Sequence, residues 1–230
     1  MSSGSSRLGA ESAVSTRLAQ IYLRLPASVR LIGITKTFSA DIVRQAYEAG
    51  LREFGENKVQ EGLAKQAALR DLTDVTWHFI GHIQSNKALK VVENFDWIHS
   101  VDSLKLATRI NRQAKDLGKR PNCCLQVKLA PDPTKAGFEV ETLMSALTDL
   151  DQLESIDIRG LMVIPPYGLL NAQVQAIFNQ GAALAKEIAG RSLVNMKMDQ
   201  LSMGMSGDFE QAIAAGATMV RIGSGLFGQR

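Results

Sequence analysis

One lysine at the end of an apolar strand and two turns rich in glycine and serine near the C-terminus are the residues of this chain best suited to chemistry. Lys36 closes the run Leu31-Ile32-Gly33-Ile34-Thr35-Lys36. An amine there is either a surface group whose stem lies along apolar neighbours or a nucleophile held at a strand end. Ser202-Met203-Gly204-Met205-Ser206-Gly207 joins a strand pattern to a helical one, so hydroxyls and N–H groups gather at a helix N-terminus, which attracts anions. Gly223-Ser224-Gly225 follows the last strand pattern, where missing side chains let backbone amides approach a phosphate. Taken singly, each turn reads equally well as a tight turn with glycine for backbone reasons. Together they describe one pocket sized for a dianion, and an amine facing such a pocket can form a Schiff base with an aldehyde cofactor. Arg221 stands two residues before Gly223, the strand parity that sends both to one side; its alternative is a structural ion pair. Glu56-Asn57 closes another strand pattern, where the Asn57 amide either lies over a bound ring or caps the following helix.

Other chemistries find less support. Gly223-Ser224-Gly225-Leu226-Phe227-Gly228 satisfies the spacing of a dinucleotide fingerprint, yet the helix and the acidic residue that should follow are not there. His78, His82 and His99 have no metal-ligand spacing and read as hydrogen-bonded packing. The chain has 230 residues, 45% hydrophobic and 21% charged, with a formal net charge of +3. Its basic residues are interspersed with acidic ones, so no stripe exists to track a nucleic acid backbone. Cys123 and Cys124 are adjacent in a strand pattern, point to opposite faces and make a strained bridge, which predicts free thiols and a cytoplasmic setting. No apolar run reaches a membrane-spanning length, and residues 1–8 read as a disordered leader before a single domain over 9–230.

The elements that must position these groups alternate strand and helix. Apolar runs predict strands over 30–36, 51–56, 76–82, 97–101, 123–129, 157–164, 198–203 and 219–222. Helical periodicity predicts helices over 40–49, 58–69, 104–117, 140–150 and 172–189. Ser39 is placed to cap the first of these, and Asp208 with Gln211 reads as a capping box for a helix after the seventh strand. Eight parallel strands in this length favour an α/β TIM-type (β/α)8 barrel over an open doubly wound sheet. Too few residues follow the eighth strand for a closing helix, so the amphipathic segment 13–25 is expected to cover that gap.

Assembled, these residues resemble the pyridoxal phosphate homeostasis protein family (the YggS/PROSC family), itself similar to the barrel domain of alanine racemase. The resemblance runs over nearly everything after Arg30. It is carried by Thr35-Lys36-Thr37, Phe54-Gly55-Glu56-Asn57, the run from Trp77 through Lys87, His99-Ser100-Val101-Asp102-Ser103, Gly160-Leu161-Met162, Leu201 through Ser206, and Val220-Arg221-Ile222-Gly223. It implies that Lys36 holds pyridoxal 5'-phosphate (PLP) as a Schiff base. It further implies that Ser202, Ser206, Gly223 and Ser224 hold the phosphate, that Asn57 belongs to the cofactor site, and that Arg221 faces the pyridine nitrogen. The loop 130–138 departs from the family pattern and receives no binding role; Gly225 stands where alanine is common, a change expected to leave the phosphate pocket intact.

The implied function is a non-catalytic PLP carrier acting in PLP homeostasis by buffering or delivery, and indirectly in amino-acid and keto-acid balance. Its implied partners are PLP and PLP-accepting apo-enzymes, with no nucleic acid or membrane, and its implied state is a monomer. The rival reading is an enzyme, either a weak PLP-dependent racemase or an aldolase using Lys36; a third is a regulatory scaffold.

Overall fold

The computed structural model describes residues 13–132 and 135–228; the leader proposed for residues 1–8 lies outside them. In chain order the elements are α1 (Ala13–Tyr22), β1 (Arg30–Ile34), α2 (Ala40–Glu48), β2 (Glu53–Glu56), α3 (Val59–Ala68), β3 (Thr76–Phe79), a 3-10 turn (Ser85–Lys87), α4 (Ala88–Asn94), β4 (Trp97–Val101) and α5 (Leu104–Asp116). They continue with β5 (Asn122–Lys128), β6 (Phe138–Glu139), α6 (Val140–Asp151), β7 (Asp157–Val163), α7 (Asn171–Ala189), β8 (Met196–Ser202), α8 (Phe209–Ala214), β9 (Met219–Ile222) and α9 (Ser224–Phe227). Hydrogen bonding follows the order β4-β3-β2-β1-β9-β8-β7-β5, and β4 also pairs with β5. The result is a closed, parallel, eight-stranded barrel wrapped by helices, with β6 as a short addition on β5.

Strand parity sorts side chains between two buried layers. Leu31, Phe54, Phe79, Ile98, Cys123, Leu125, Leu161 and Val220 point outward into the layer beneath the helices. Ile32, Ile34, Trp97, Cys124, Met162 and Met219 point inward. The helices meet the outer layer through apolar residues at three- and four-residue steps; α7, for example, buries Val174, Ile177, Phe178, Gly181, Leu184, Ala185 and Ile188. Cys123 and Cys124 thus face opposite layers as free thiols.

Several local expectations need correction. β1 ends at Ile34 and β3 at Phe79, so Lys36 and His82 stand on rim turns rather than in strands. The Ser39 side chain makes no cap bond to α2. The Asp208–Gln211 capping box does not form, because Asp208 Oδ1 accepts the Met205 N–H at 2.6 Å and closes the turn before α8 instead. Ser103, unanticipated, caps α5 through Leu106 N–H. After β9 the chain makes one helical turn, α9, where no helix was expected. α1 packs against it and buries Val14, Leu18 and Ile21, so the N-terminal helix does cover this part of the barrel. Among the described residues no helix is long and apolar enough to cross a membrane.

Candidate functional site

At the carboxyl ends of the strands, where barrels of this type carry their working groups, lies an open cleft of about 740 Å³. Lys36, Asn57, Ser206, Arg221, Gly223 and Ser224 all line it. Apolar walls come from Ile34, Ile80, Met162, Ile164 and Met205. Their signal in the sequence is only that they end or follow strands, which does not separate them from ordinary core residues.

Lys36 is half-buried on the turn after β1. The next residue, Thr37, has φ 69°, a left-handed conformation that a β-branched residue adopts only when its surroundings impose it. Two interactions do so. Thr37 N–H donates to Glu61 Oε2 at 3.1 Å. Behind the turn, the buried Lys65 ammonium donates to Thr35 O at 2.5 Å and to Glu56 Oε1 at 2.5 Å, and the Thr35 hydroxyl donates to the same carboxylate. Sequence reading missed Lys65 because its position on α3 fits an exposed helical lysine as well as a buried one.

Across the cleft, the turn after β8 meets the turn after β9. Gly225 N–H donates to Ser206 Oγ at 3.1 Å. A Cβ on Gly225 would lie 3.2 Å from both Ser206 Oγ and Ile222 Cγ2, so an alanine there would require these side chains to give by a few tenths of an ångström. Among the described residues, no hydrogen bond to the protein uses the backbone N–H groups of Ser206, Gly207, Gly223 or Ser224. Four unspent donors around one opening can cradle an anion. Asn57 adds a polar wall beside Gly81, where a Cβ would stand 2.1 Å from Asn57 O. Asn57 Oδ1 is buried without a hydrogen-bond partner among the described residues.

Arg221 forms the floor, 3% exposed. Its Nη1 donates to Ser202 Oγ at 2.6 Å and its Nη2 to Val163 O at 3.2 Å. Burial pulls its guanidinium down to about 10, which leaves it cationic at neutral pH. Ser202 is not brought to the cleft. It is fully buried beneath it, with its hydroxyl held between Arg221 and His99 Nδ1, 2.8 Å away. His78 and His99 are buried neighbours inside the barrel, whereas His82 stands at the rim with Nδ1 3.1 Å from Asp102 Oδ2. No cluster of metal-ligating side chains exists among the described residues.

Comparisons with known proteins place the chain by sequence and by fold. Residues 10–230 match the family described as alanine racemase, N-terminal domain. The chain is 48% identical over 212 residues to the pyridoxal phosphate homeostasis protein of Synechocystis sp., covering 92% of this chain and 96% of that one. It is 39% identical over 209 residues to the protein of the same name from Escherichia coli, covering 90% and 88%. Among solved structures, PipY of Synechococcus elongatus with PLP bound superposes with a TM-score of 0.90 at 51% identity, covering 94% of this chain and all of that one. An alanine racemase from Clostridium difficile shares the fold, with a TM-score of 0.77 at 17% identity; it matches 95% of this chain but only 57% of the racemase.

Proposed function

Taking as premise that this chain belongs to the pyridoxal phosphate homeostasis protein family, built on the alanine racemase N-terminal domain, we propose that it binds PLP as a Schiff base on Lys36 and serves as a carrier that buffers or delivers the cofactor. One observation carries the reading: Lys36 and the paired glycine turns open onto the same cleft. The residues present fit the group. The N–H groups of Ser206, Gly207, Gly223 and Ser224, with the Ser206 and Ser224 hydroxyls, take the phosphate. Asn57 offers an unsatisfied acceptor to the bound ring, and Ile34, Ile80, Met162 and Ile164 give the ring an apolar bed. Arg221, at the floor of the cleft, would face the pyridine nitrogen of a bound PLP. Ser202 acts through Arg221 rather than on the phosphate, since its hydroxyl is already engaged.

PLP when bound supplies an electron sink, which a fixed cation beside the pyridine nitrogen weakens by opposing protonation there. The only titratable side chains lining the cleft among the described residues are Lys36 and Arg221. Among the described residues of its lining, no second base faces the lysine to exchange a substrate proton. Both features favour carriage over catalysis, with apo-enzymes as recipients of the cofactor and a monomer as the working state.

Borohydride reduction of the PLP-loaded protein followed by peptide mass spectrometry tests the attachment. We expect a single pyridoxyl adduct on Lys36 and none in Lys36→Ala; adducts spread over other lysines, or undiminished in that variant, would overturn it. Exchange of the α-proton of amino acids at metabolic rates in deuterated water would show an enzyme instead.

A further inference from the structure

Beneath the cleft a chain of polar side chains crosses the barrel. Arg221 Nη1 lies 2.6 Å from Ser202 Oγ, Ser202 Oγ 2.8 Å from His99 Nδ1, and His99 Nε2 2.9 Å from His78 Nδ1. His78 Nε2 is 3.2 Å from Glu53 Oε2, a contact misaligned for a full hydrogen bond. Glu53 is clasped by Arg30, with Nε 2.9 Å from Oε1 and Nη2 2.8 Å from Oε2. Five strands contribute: β9, β8, β4, β3 and β2, with β1 supplying Arg30.

The carboxylate end sets the direction for a pair of neutral imidazoles. Glu53 only accepts, so a neutral His78 turns a protonated Nε2 toward it and leaves Nδ1 bare. His78 Nδ1 then accepts from His99 Nε2, and the bare His99 Nδ1 accepts the Ser202 hydroxyl proton. Ser202 Oγ accepts from Arg221, which only donates; with two lone pairs the hydroxyl could take a second donor, so the guanidinium end alone does not set the order. For neutral rings the reverse order would set a bare His78 Nε2 against the Glu53 carboxylate.

The geometry points to Ser202, His99, His78 and Glu53 as positioning residues that lock Arg221 at the floor of the cleft, with both histidines neutral and protonated only on Nε2. Arg221 then meets a ligand in one place with one fixed charge, and no imidazolium lies below it to pass a proton upward. This deepens the PLP reading above and rests on it for its consequence, though the state of the histidines does not. The surroundings are consistent. Burial lowers the His78 imidazole against the opposing pull of Glu53 and Asp96, and Arg30 lowers it further. Burial, then His78, Arg221 and Arg30, hold His99 well below its ordinary value. Cys124, also in the interior, has its thiol pushed up to about 12 by burial and is neutral.

The test is nitrogen NMR of histidine-labelled protein free of PLP, with His82→Gln to identify the signal of the exposed ring. Both buried rings are expected as neutral Nε2–H tautomers from pH 5.5 to 8. A protonated ring at pH 7, or a proton on His99 Nδ1, overturns the chain. In Ser202→Ala, His99 loses its donor and should populate the other tautomer, while PLP binding weakens about tenfold, as for loss of a hydrogen bond to a charged group. An unchanged His99 tautomer in that variant, or a changed tautomer with unchanged PLP affinity, overturns the positioning role. Absence of a reducible Lys36 adduct in the wild type would instead refute the PLP reading and leave the tautomers standing.

Discussion

The barrel interior and the layer between barrel and helices are both shut off from water, yet they are built differently. The outer layer is aliphatic and aromatic, drawing on Leu18, Phe54, Phe79, Ile98, Ile110, Leu143 and Phe178. Its buried polar groups tie backbone: Asp151 accepts from the N–H groups of Val194, Asn195 and Met196, and Lys65 holds Thr35 O. Inside the barrel, six apolar residues share the space with Arg30, Glu53, His78, His99, Ser202 and Arg221. Well-packed apolar groups of equal volume would generally stabilise such a space as well or better. The comparison teaches that the outer layer serves stability, while the interior gives up some of it to hold one cation under the cleft.

The sharpest break of this contrast is in the outer layer. Phe178→Ala empties a fully buried site on α7 and is expected to cost about 3–5 kcal/mol, measured by urea unfolding, with the ligand site of the surviving folded protein unchanged. Lys65→Met strands the Glu56 carboxylate, wholly buried beside it, and should cost about 3–5 kcal/mol as well. Here Glu56→Gln in the same chain should restore much of the loss, and Lys36 reactivity toward PLP should drop because the Thr35–Thr37 turn relaxes. A stable Lys65→Met protein with normal Lys36 reactivity would show that the turn holds without this pair.

Acid sharpens the contrast from the interior side. His78 and His99 have folded-state values below the ordinary 6.5, so below pH 6.5 the unfolded chain binds protons that the folded one refuses. The stability they confer is full above 6.5 and drains away as pH falls. Glu53 adds to this at lower pH: burial alone would raise its carboxyl, but His78 and Arg30 outweigh burial and leave it below 4.5. The urea midpoint should therefore fall between pH 7.5 and 5.5, and fall less in His99→Gln; an equal slope in both would remove His99 from the account. Gly225→Ala should lower PLP affinity a few-fold by crowding Ser206, read by spectral titration, with little change in stability. Smallest of all, Arg159→Ala breaks a pair with Asp199 that is open to solvent and should shift stability by under about 1 kcal/mol.

Much of this was legible in the residue pattern. Strands β4 and β9 fall where the apolar runs put them, and the cleft gathers Lys36, Asn57, Ser206, Arg221, Gly223 and Ser224 as the turn chemistry suggested. The strand ends were less so: apolar residues continue past β3 into the rim turn 80–83, and the β-branched Thr35 extends the strand pattern past Ile34. Caps failed for a related reason. Ser39 and Asp208 are residue types that stabilise turns as readily as helix starts, and tertiary geometry decided between those uses.

By itself the sequence determined the alternation of strand and helix, the face each apolar residue would take, and the glycine turns that leave amides bare, since each depends on near neighbours along the chain. Only the closed barrel decided that the Ser202 hydroxyl would meet Arg221 instead of the cleft, that Lys65 would lie buried behind Lys36, and that two histidines 21 residues apart would share one hydrogen bond. Those outcomes depend on which strands come to face one another across the interior, a relation set by register and closure that no local pattern encodes.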